Sequence, residues 1–223
     1  MVWLKRKQTL HDLDIRLPLS EIKKRAKILV IDDEPASFPA ARLAEEGYHI
    51  ETWETVKSLS KLEDGAFDII ILDYMGVADE EVSQKAGLGI LEHLKKVNPA
   101  QLIIAFSAHS FDASSSNFWR LADDNLGKPI DVVKCKEVID QLLVDKFTIS
   151  HYWGTLASVL KSNGATAKDI SRLEGKIVES LARRETADVI EYCDELCRKL
   201  GIGVRIAVII SQIFGFFQGP TKP

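Results

Sequence analysis

The sequence predicts an α/β protein with a five-stranded, doubly wound parallel sheet and a small all-helical C-terminal domain. Between residues 26 and 146, apolar strand-like stretches alternate with helix-like stretches, five of each. This alternation indicates βαβ units with right-handed crossovers, and therefore a parallel sheet. Two of the apolar runs end in carboxylates, which is where open α/β sheets build their sites. From about residue 147 onward the pattern is helical.

The elements of the sheet domain follow from apolar runs and turn signals. The predicted strands are 27–31, 48–53, 68–72, 101–106 and 125–127. The predicted helices are 36–46, 55–63, 86–97, 114–123 and 131–145. Gly47 indicates the end of the first of these helices, and Asn98-Pro99 the end of the third.

The two ends of the chain differ from this domain. We interpret residues 1–25 as an N-terminal arm, with a short amphipathic helix interrupted by Pro18. We interpret 147–223 as a helical output or oligomerisation region. Its predicted helices run over about 150–161, 166–184, 186–200 and 202–217. Apolar stripes on the second and third predict a helical hairpin or small bundle.

The last predicted helix, 202–217, is apolar nearly all round but contains Arg205 and Gln212. A membrane-spanning helix needs about 20 such residues, and this run is shorter. We favour a helix buried in the bundle or in an oligomer. Insertion into a membrane surface, and a true span, remain alternatives.

Composition narrows the function classes. The net charge of −4 divides into +4 for residues 1–25, −10 for 26–146 and +2 for 147–223. An acidic sheet domain disfavours nucleic-acid binding there, and the slightly basic tail gives no clear nucleic-acid signal. The three cysteines form no disulfide framework, and the N-terminus lacks the apolar core of a signal peptide. We therefore expect a cytoplasmic protein.

Three carboxylates define the candidate site. Asp32 and Asp33 follow the first predicted strand, and Asp73 follows the third. Carboxylates brought together in this way repel one another, and a hard divalent cation relieves the repulsion. Mg²⁺ suits an oxygen site that keeps some waters. A hydroxyl, Ser107, and an ammonium group, Lys128, end the next two strands and complete a pocket for a phosphoryl group.

This pattern resembles a response-regulator receiver domain over about residues 26–146, just over half of the chain. The resemblance lies in four motifs at successive strand ends: Asp32-Asp33, Asp73, Ser107-Ala108 and Lys128-Pro129. Lys-Pro alone would be a weak signal, but all four in order on a five-fold β/α alternation are specific.

The resemblance implies a role for each site residue. Asp73 would be the phosphoacceptor, taking a phosphoryl group from a histidine kinase or phosphotransfer protein. Asp32 and Asp33 would hold Mg²⁺ with Asp73, and Met75 would add its backbone carbonyl. Ser107 would turn toward the phosphoryl oxygens and Lys128 would pair with them. The receiver would assist its own phosphorylation and dephosphorylation without being a dedicated enzyme, and a change around 107–123 would be read by the tail or by a homodimer partner.

Three departures from the family pattern stand out. Asn125 occupies the place of the usual aromatic residue three before the lysine, which puts the common hydroxyl–aromatic switch in question. The loop at 76–85 is about six residues longer than usual and lacks the usual proline. His109 lies two residues after Ser107 and within possible reach of the phosphoryl group.

Other interpretations stay open. An α/β domain can end its strands in acids without phosphoryl chemistry. A receiver fold can also act as a phosphorylation-independent adaptor, and the apolar run at 202–217 allows a membrane-associated effector. A DNA-binding regulator has little support, because the tail shows no basic recognition helix.

Overall fold

The computed structural model describes residues 8–14, 16–78, 85–108 and 116–217. The chain divides into two compact units. One spans Leu17–Phe147, and the other joins the N-terminal segment up to Arg16 to the chain from Thr148 onward. The predicted arm of residues 1–25 is therefore shared between the units, because its second half packs with the sheet.

The first unit contains a five-stranded parallel sheet with the strand order β2-β1-β3-β4-β5. Its strands are β1 (Lys27–Ile31), β2 (His49–Trp53), β3 (Ile69–Asp73), β4 (Leu102–Ser107) and β5 (Asp124–Gly127). All five predicted strands are confirmed, with bounds that agree to within one residue. The fold class is thus as predicted, and the order shows a doubly wound sheet with β1 and β3 adjacent near its centre.

Burial explains why these segments form the sheet. Every residue of β3 and β4 is buried, and so are four of the five residues of β1. Strands covered on both faces read as continuous apolar runs, which is how the sequence shows them. At the edge, β2 is largely exposed and only its last residue, Trp53, is fully buried.

Six helices belong to the sheet unit in the described part of the chain. They are α1 (Leu19–Arg25), α2 (Ala40–Glu45), α3 (Leu59–Glu63), α4 (Ala86–Val97), α5 (Ser116–Leu121) and α6 (Val132–Lys146). Three are shorter than predicted: α2 and α3 begin four residues later than predicted, and α5 ends at Leu121 instead of residue 123. A 3₁₀ turn at Pro35–Ser37 and Pro39 delay the start of α2, and α3 starts only after Ser58, whose hydroxyl accepts from the N–H of Lys61.

Helix α1 forms part of the sheet unit, where it packs against α6 and the edge strand β2. Ile22 is buried there, and so is most of Lys23. The Lys23 ammonium group lies 3.1 Å from an Asp140 oxygen and 4.3 Å from the centre of the Tyr48 ring. The helix predicted across Pro18 is wrong in its extent, because Pro18 itself is the residue that caps the start of α1.

In its described residues, the second unit contains four α-helices: α7 (Ile149–Ser162), α8 (Ala167–Arg183), α9 (Ala187–Leu200) and α10 (Ile206–Gly215). Helix α7 ends at Asn163-Gly164 and helix α9 ends at Gly201, as predicted. Thr166 and Asp169 form a reciprocal capping box at the start of α8. The predicted helical C-terminal region is therefore confirmed.

Helix α10 is shorter than the predicted 202–217, and its apolar side chains are used inside this unit. It packs against α7 and α9, and five of its residues are buried: Ile206, Ile209, Ile210, Ile213 and Phe214. Among the described residues, no helix combines the length and apolar character that crossing a bilayer requires. Burial within a helical bundle is the interpretation that these contacts favour.

Candidate functional site

The carboxyl ends of the two central strands bring three carboxylates together. Ile31 of β1 lies opposite Leu72 of β3, so the residues that follow them, Asp32 and Asp73, meet at the same edge of the sheet. One carboxylate oxygen from each of Asp32, Asp33 and Asp73 lies within 4.8 Å of the others. Asp32 and Asp73 are buried and Asp33 is exposed, so the cluster is reachable from one side.

Lys128 bridges the two buried carboxylates. Its ammonium nitrogen donates to Oδ1 of Asp32 at 2.9 Å and to Oδ2 of Asp73 at 2.7 Å. The lysine follows β5 and is tied to β4, since its backbone N–H donates to the carbonyl of Ser107 at 3.0 Å. Its peptide bond to Pro129 is cis. The predicted lysine thus reaches the predicted acceptor from two strands away.

Ser107 ends β4 and is buried, with 2% of its surface exposed. Its neighbour Phe106 lies opposite Asp73 in the sheet register. The hydroxyl residue therefore stands one position beyond the acceptor on the adjacent strand. This is the placement expected of a group that contacts whatever is attached to Asp73.

Burial is the largest influence on the protonation of the acceptor and its lysine. It raises the pKa of Asp73, against the opposing effect of the Lys128 hydrogen bond. Burial alone would lower the pKa of Lys128, but the hydrogen bonds to Asp73 and Asp32 outweigh it and raise that pKa. Lys128 is therefore charged at neutral pH.

The donor set fits a hard divalent cation. Three carboxylates face one ammonium group, so the site carries excess negative charge when all are ionised. Its ligand atoms are oxygens, which Mg²⁺ prefers. Asp32, Asp33 and Asp73 are the residues that would hold the ion.

The segment after β3 closes tightly around the carboxylates. The N–H of Tyr74 donates to Oδ1 of Asp73 at 2.6 Å. Gly76 has a positive φ of 69° and lies against Asp33, such that a Cβ built there would be 1.9 Å from Oδ2. Gly87 at the start of α4 lies equally close to the backbone of Asp73, with its ideal Cβ 2.0 Å from the carbonyl oxygen. Both glycines allow the chain to pass where a side chain would not fit.

Sequence reasoning missed Ser37, Gly76 and Gly87. Ser37 donates from its hydroxyl to Oδ2 of Asp32 at 2.5 Å. These contacts depend on how separate turns meet in space, and none of the three has a distinctive sequence neighbourhood. The one sequence signal for the positive φ at Gly76 is a glycine in the turn that follows a strand.

Three further features predicted near the site are Met75, Asn125 and the segments that contain His109 and the long loop. Met75 follows Tyr74 with its side chain half exposed. The Asn125 amide, in the orientation that satisfies its neighbours, donates to the carbonyls of Trp119 at 3.2 Å and Asp124 at 3.1 Å. Asn125 therefore ties β5 to α5. His109, residues 79–84 of the long loop and most of the 107–115 stretch lie outside the described residues.

Part of the chain is similar to known proteins. No family model matches the chain. Among curated proteins, Response regulator RR06 of Streptococcus pneumoniae is 29% identical over 129 residues, which cover 56% of this chain and 57% of the relative. The chain thus spans little more than half the length of that relative.

Similar solved structures include two response-regulator proteins and one receiver domain. A CheY-like receiver domain protein from Methanospirillum hungatei is 24% identical, with a TM-score of 0.46, and covers 54% of this chain and 95% of its own. The receiver domain of NtrX from Brucella abortus is 27% identical, with a TM-score of 0.45, and the match covers 53% of this chain and 99% of the NtrX chain. The response regulator protein TrrA from Thermotoga maritima, in complex with Mg(2+)-BeF, is 31% identical, with a TM-score of 0.44. This match covers 52% of this chain and 98% of the TrrA chain.

The strand order, the carboxylate cluster bridged by Lys128 and the curated relative together support a likeness of the sheet unit to a response-regulator receiver domain. In this chain the sheet unit, Leu17–Phe147, is followed by the helices α7 to α10.

Proposed function

We propose that this receiver accepts a phosphoryl group at Asp73 from a histidine kinase or phosphotransfer protein. The observation that carries the proposal is the bridge from Lys128 to both Asp32 and Asp73, at 2.9 and 2.7 Å. A lysine aimed at a nucleophilic carboxylate and at a neighbouring acidic group suits phosphoryl transfer, in which catalysis is largely positioning and charge neutralisation.

In the proposed reaction, a carboxylate oxygen of Asp73 attacks the phosphorus atom of the donor. The new bond joins that oxygen to phosphorus, and the phosphorus–nitrogen bond to the donor histidine breaks. The departing imidazole keeps the bonding electron pair and takes up a proton from solvent. Hydrolysis later returns the Asp73 carboxylate and inorganic phosphate.

The chain's own groups hold the reacting atoms. Lys128 stays paired with Asp32 and moves its second contact from the acceptor oxygen to the phosphoryl oxygens. Ser107, one position beyond the acceptor on the next strand, contacts those oxygens from the side of β4. Asp32, Asp33, Asp73 and the backbone carbonyl of Met75 are the proposed ligands of Mg²⁺. When bound, Mg²⁺ neutralises charge on the transferring group.

We propose that the chain is a cytoplasmic response regulator and that the helical unit provides its output, alone or in a homodimer. Phosphorylation shifts an existing equilibrium between two states of the receiver. The receiver assists only its own phosphorylation and dephosphorylation, so the chain is not a dedicated enzyme.

Asn125 favours one second candidate, a receiver-fold adaptor that acts by binding partners without phosphorylation. The amide is held by two backbone carbonyls of the α5–β5 segment. It therefore leaves this receiver without the aromatic side chain that usually moves with the hydroxyl residue. An adaptor would keep the fold and the acidic pocket but would not accept phosphate.

The test is labelling with acetyl phosphate in the presence of Mg²⁺, read as intact mass, with the oligomeric state read by light scattering. Wild type should gain one phosphoryl group and Asp73→Asn none. Asp68→Asn is the matched control, because Asp68 directly precedes β3 and therefore lies at the opposite end of that strand from Asp73. Labelling of the control but not of Asp73→Asn supports the proposal, and no labelling of wild type favours the adaptor.

A further inference from the structure

The 3₁₀ turn after β1 places a hydroxyl group against one of the site carboxylates. Ser37 ends the turn Pro35–Ser37, and its Oγ donates to Oδ2 of Asp32 at 2.5 Å. Only 1% of the surface of Asp32 is exposed. A buried carboxylate depends on protein donors to satisfy its oxygens and to fix its orientation.

The contacts of Asp32 are divided between its two oxygens. Oδ1 accepts from the N–H of Glu34 at 2.9 Å and from the ammonium group of Lys128 at 2.9 Å. Oδ2 accepts from Ser37. Because the donors approach both oxygens, the plane of the carboxylate is held. Ser37 fixes the end that Lys128 does not reach.

We propose that Ser37 is a positioning residue for the cation site. Its hydroxyl holds Oδ2 of Asp32 so that the carboxylate faces the group it forms with Asp33 and Asp73. The inference rests on the proposed Mg²⁺ site, but it concerns Mg²⁺ binding alone and not phosphoryl transfer. Hydrogen bonds that orient metal-binding carboxylates change metal affinity by about 10- to 100-fold when removed.

The Ser37 hydroxyl also has an effect that opposes its orientation of Asp32, because it lowers the strength of Asp32 as a ligand. A hydroxyl that donates to a carboxylate also occupies a lone pair and withdraws electron density, which weakens the carboxylate as a ligand. Orientation should dominate here, because Asp32 is buried and its oxygens have different partners. Removal of the hydroxyl should therefore weaken Mg²⁺ binding and should not tighten it.

The experiment is calorimetric titration of the full chain with MgCl₂ in the absence of any phosphodonor. Ser37→Ala should bind Mg²⁺ about tenfold more weakly than wild type. The near-isosteric pair Ser37→Thr and Ser37→Val separates the hydroxyl from packing: Thr should retain most of the affinity and Val should lose it. This pair decides the matter if the alanine variant folds poorly.

Ser58→Ala is the matched control. The Ser58 hydroxyl also makes a hydrogen bond at the start of a helix, where it accepts from the N–H of Lys61 at 3.3 Å, but it contacts none of the three carboxylates. Its Mg²⁺ affinity should equal that of wild type. Circular dichroism confirms that each variant is folded.

The outcomes separate the inference from the proposed function. If wild type binds Mg²⁺ and both Ser37→Ala and Ser37→Val bind it equally well or more tightly, the proposed role of Ser37 is overturned and the Mg²⁺ site stands. Absence of binding by wild type would overturn both. Weaker binding by Ser37→Ala would support Ser37 even if acetyl phosphate fails to label Asp73.

Discussion

Replacement of Gly76 by alanine should disable the cation site while leaving the receiver folded. An alanine Cβ would lie 1.9 Å from Oδ2 of Asp33 and 2.9 Å from its Cβ. Ordinary van der Waals contact begins at 3.4 Å, so the carboxylate oxygen must withdraw by about 1.5 Å. Metal–ligand distances tolerate about 0.2 Å, so this displacement takes Asp33 out of the ligand set.

Asp33 can make this movement because it is exposed. We expect Mg²⁺ affinity, measured by calorimetric titration, to fall at least about tenfold. The positive φ of 69° adds a cost of its own, about 1–2 kcal/mol of the free energy of unfolding, because an alanine side chain disfavours that conformation.

Gly47→Ala controls for the backbone cost. Gly47 also has a positive φ, 89°, but nothing lies within 4 Å of its ideal Cβ. It should lose a similar amount of stability in urea unfolding and keep wild-type Mg²⁺ affinity. Equal Mg²⁺ affinity in Gly76→Ala and Gly47→Ala would refute the reasoning, because Asp33 would then not be a ligand or would not be displaced.

Three further predictions concern stability, each read by urea unfolding. Gly87→Ala should lower the free energy of unfolding by roughly 1–3 kcal/mol or more, because its Cβ would lie 2.0 Å from the rigid backbone carbonyl oxygen of Asp73. The control Gly154→Ala, in helix α7 with open space around it, should raise the free energy of unfolding by up to about 1 kcal/mol. Equal effects of the two substitutions would contradict the close approach of Gly87 to Asp73. Burial raises the pKa of Asp68 to about 6, so the folded state holds a proton that the unfolded chain releases near pH 3.8, and stability should fall as the pH rises through this window. Asp68→Asn should remove that loss, with a gain on the order of 1–3 kcal/mol at pH 7 and little at pH 4, and a gain of the same size at both pH values would exclude titration as the cause. Lys23→Met should cost ~1–3 kcal/mol, because the ion pair of α1 with α6 at 3.1 Å is largely buried, and no change would mean that α1 contributes little.

The strands were predictable because their signal is local. Fully buried strands such as β3 and β4 must be apolar throughout, and a carboxylate at the end of such a run is conspicuous. The same reasoning found Asp73 and, with the order of motifs, Lys128. Strand-end positions carry the site, so a correct prediction of the strands was also a prediction of most of the site.

The short helices were less predictable, because single residues decide where they begin. Ser58 caps α3 four residues later than the apolar pattern suggests, and Pro39 does the same for α2. Helix α1 was hidden by Pro18, which interrupts a pattern but can also begin a helix.

The contacts around the carboxylates could not be predicted from the sequence. Gly76 and Asp33 are distant in sequence, and their approach depends on how the turns after β1 and β3 pack. Ser37 reaches Asp32 only because the Pro35–Ser37 turn folds back over the strand end. Such contacts arise from tertiary geometry, and residue type alone does not signal them.

The central claim is that Asp73 is the phosphoacceptor, and chemical trapping tests it most directly. Borohydride reduces an acyl phosphate to an alcohol, so a phosphorylated aspartate becomes homoserine in the peptide that contains it. After treatment with acetyl phosphate and Mg²⁺, peptide mass spectrometry should find homoserine at position 73, and chelation of Mg²⁺ should abolish it. Homoserine at Asp32 or Asp33 instead, or none at any position with Mg²⁺ present, would contradict the assignment of Asp73.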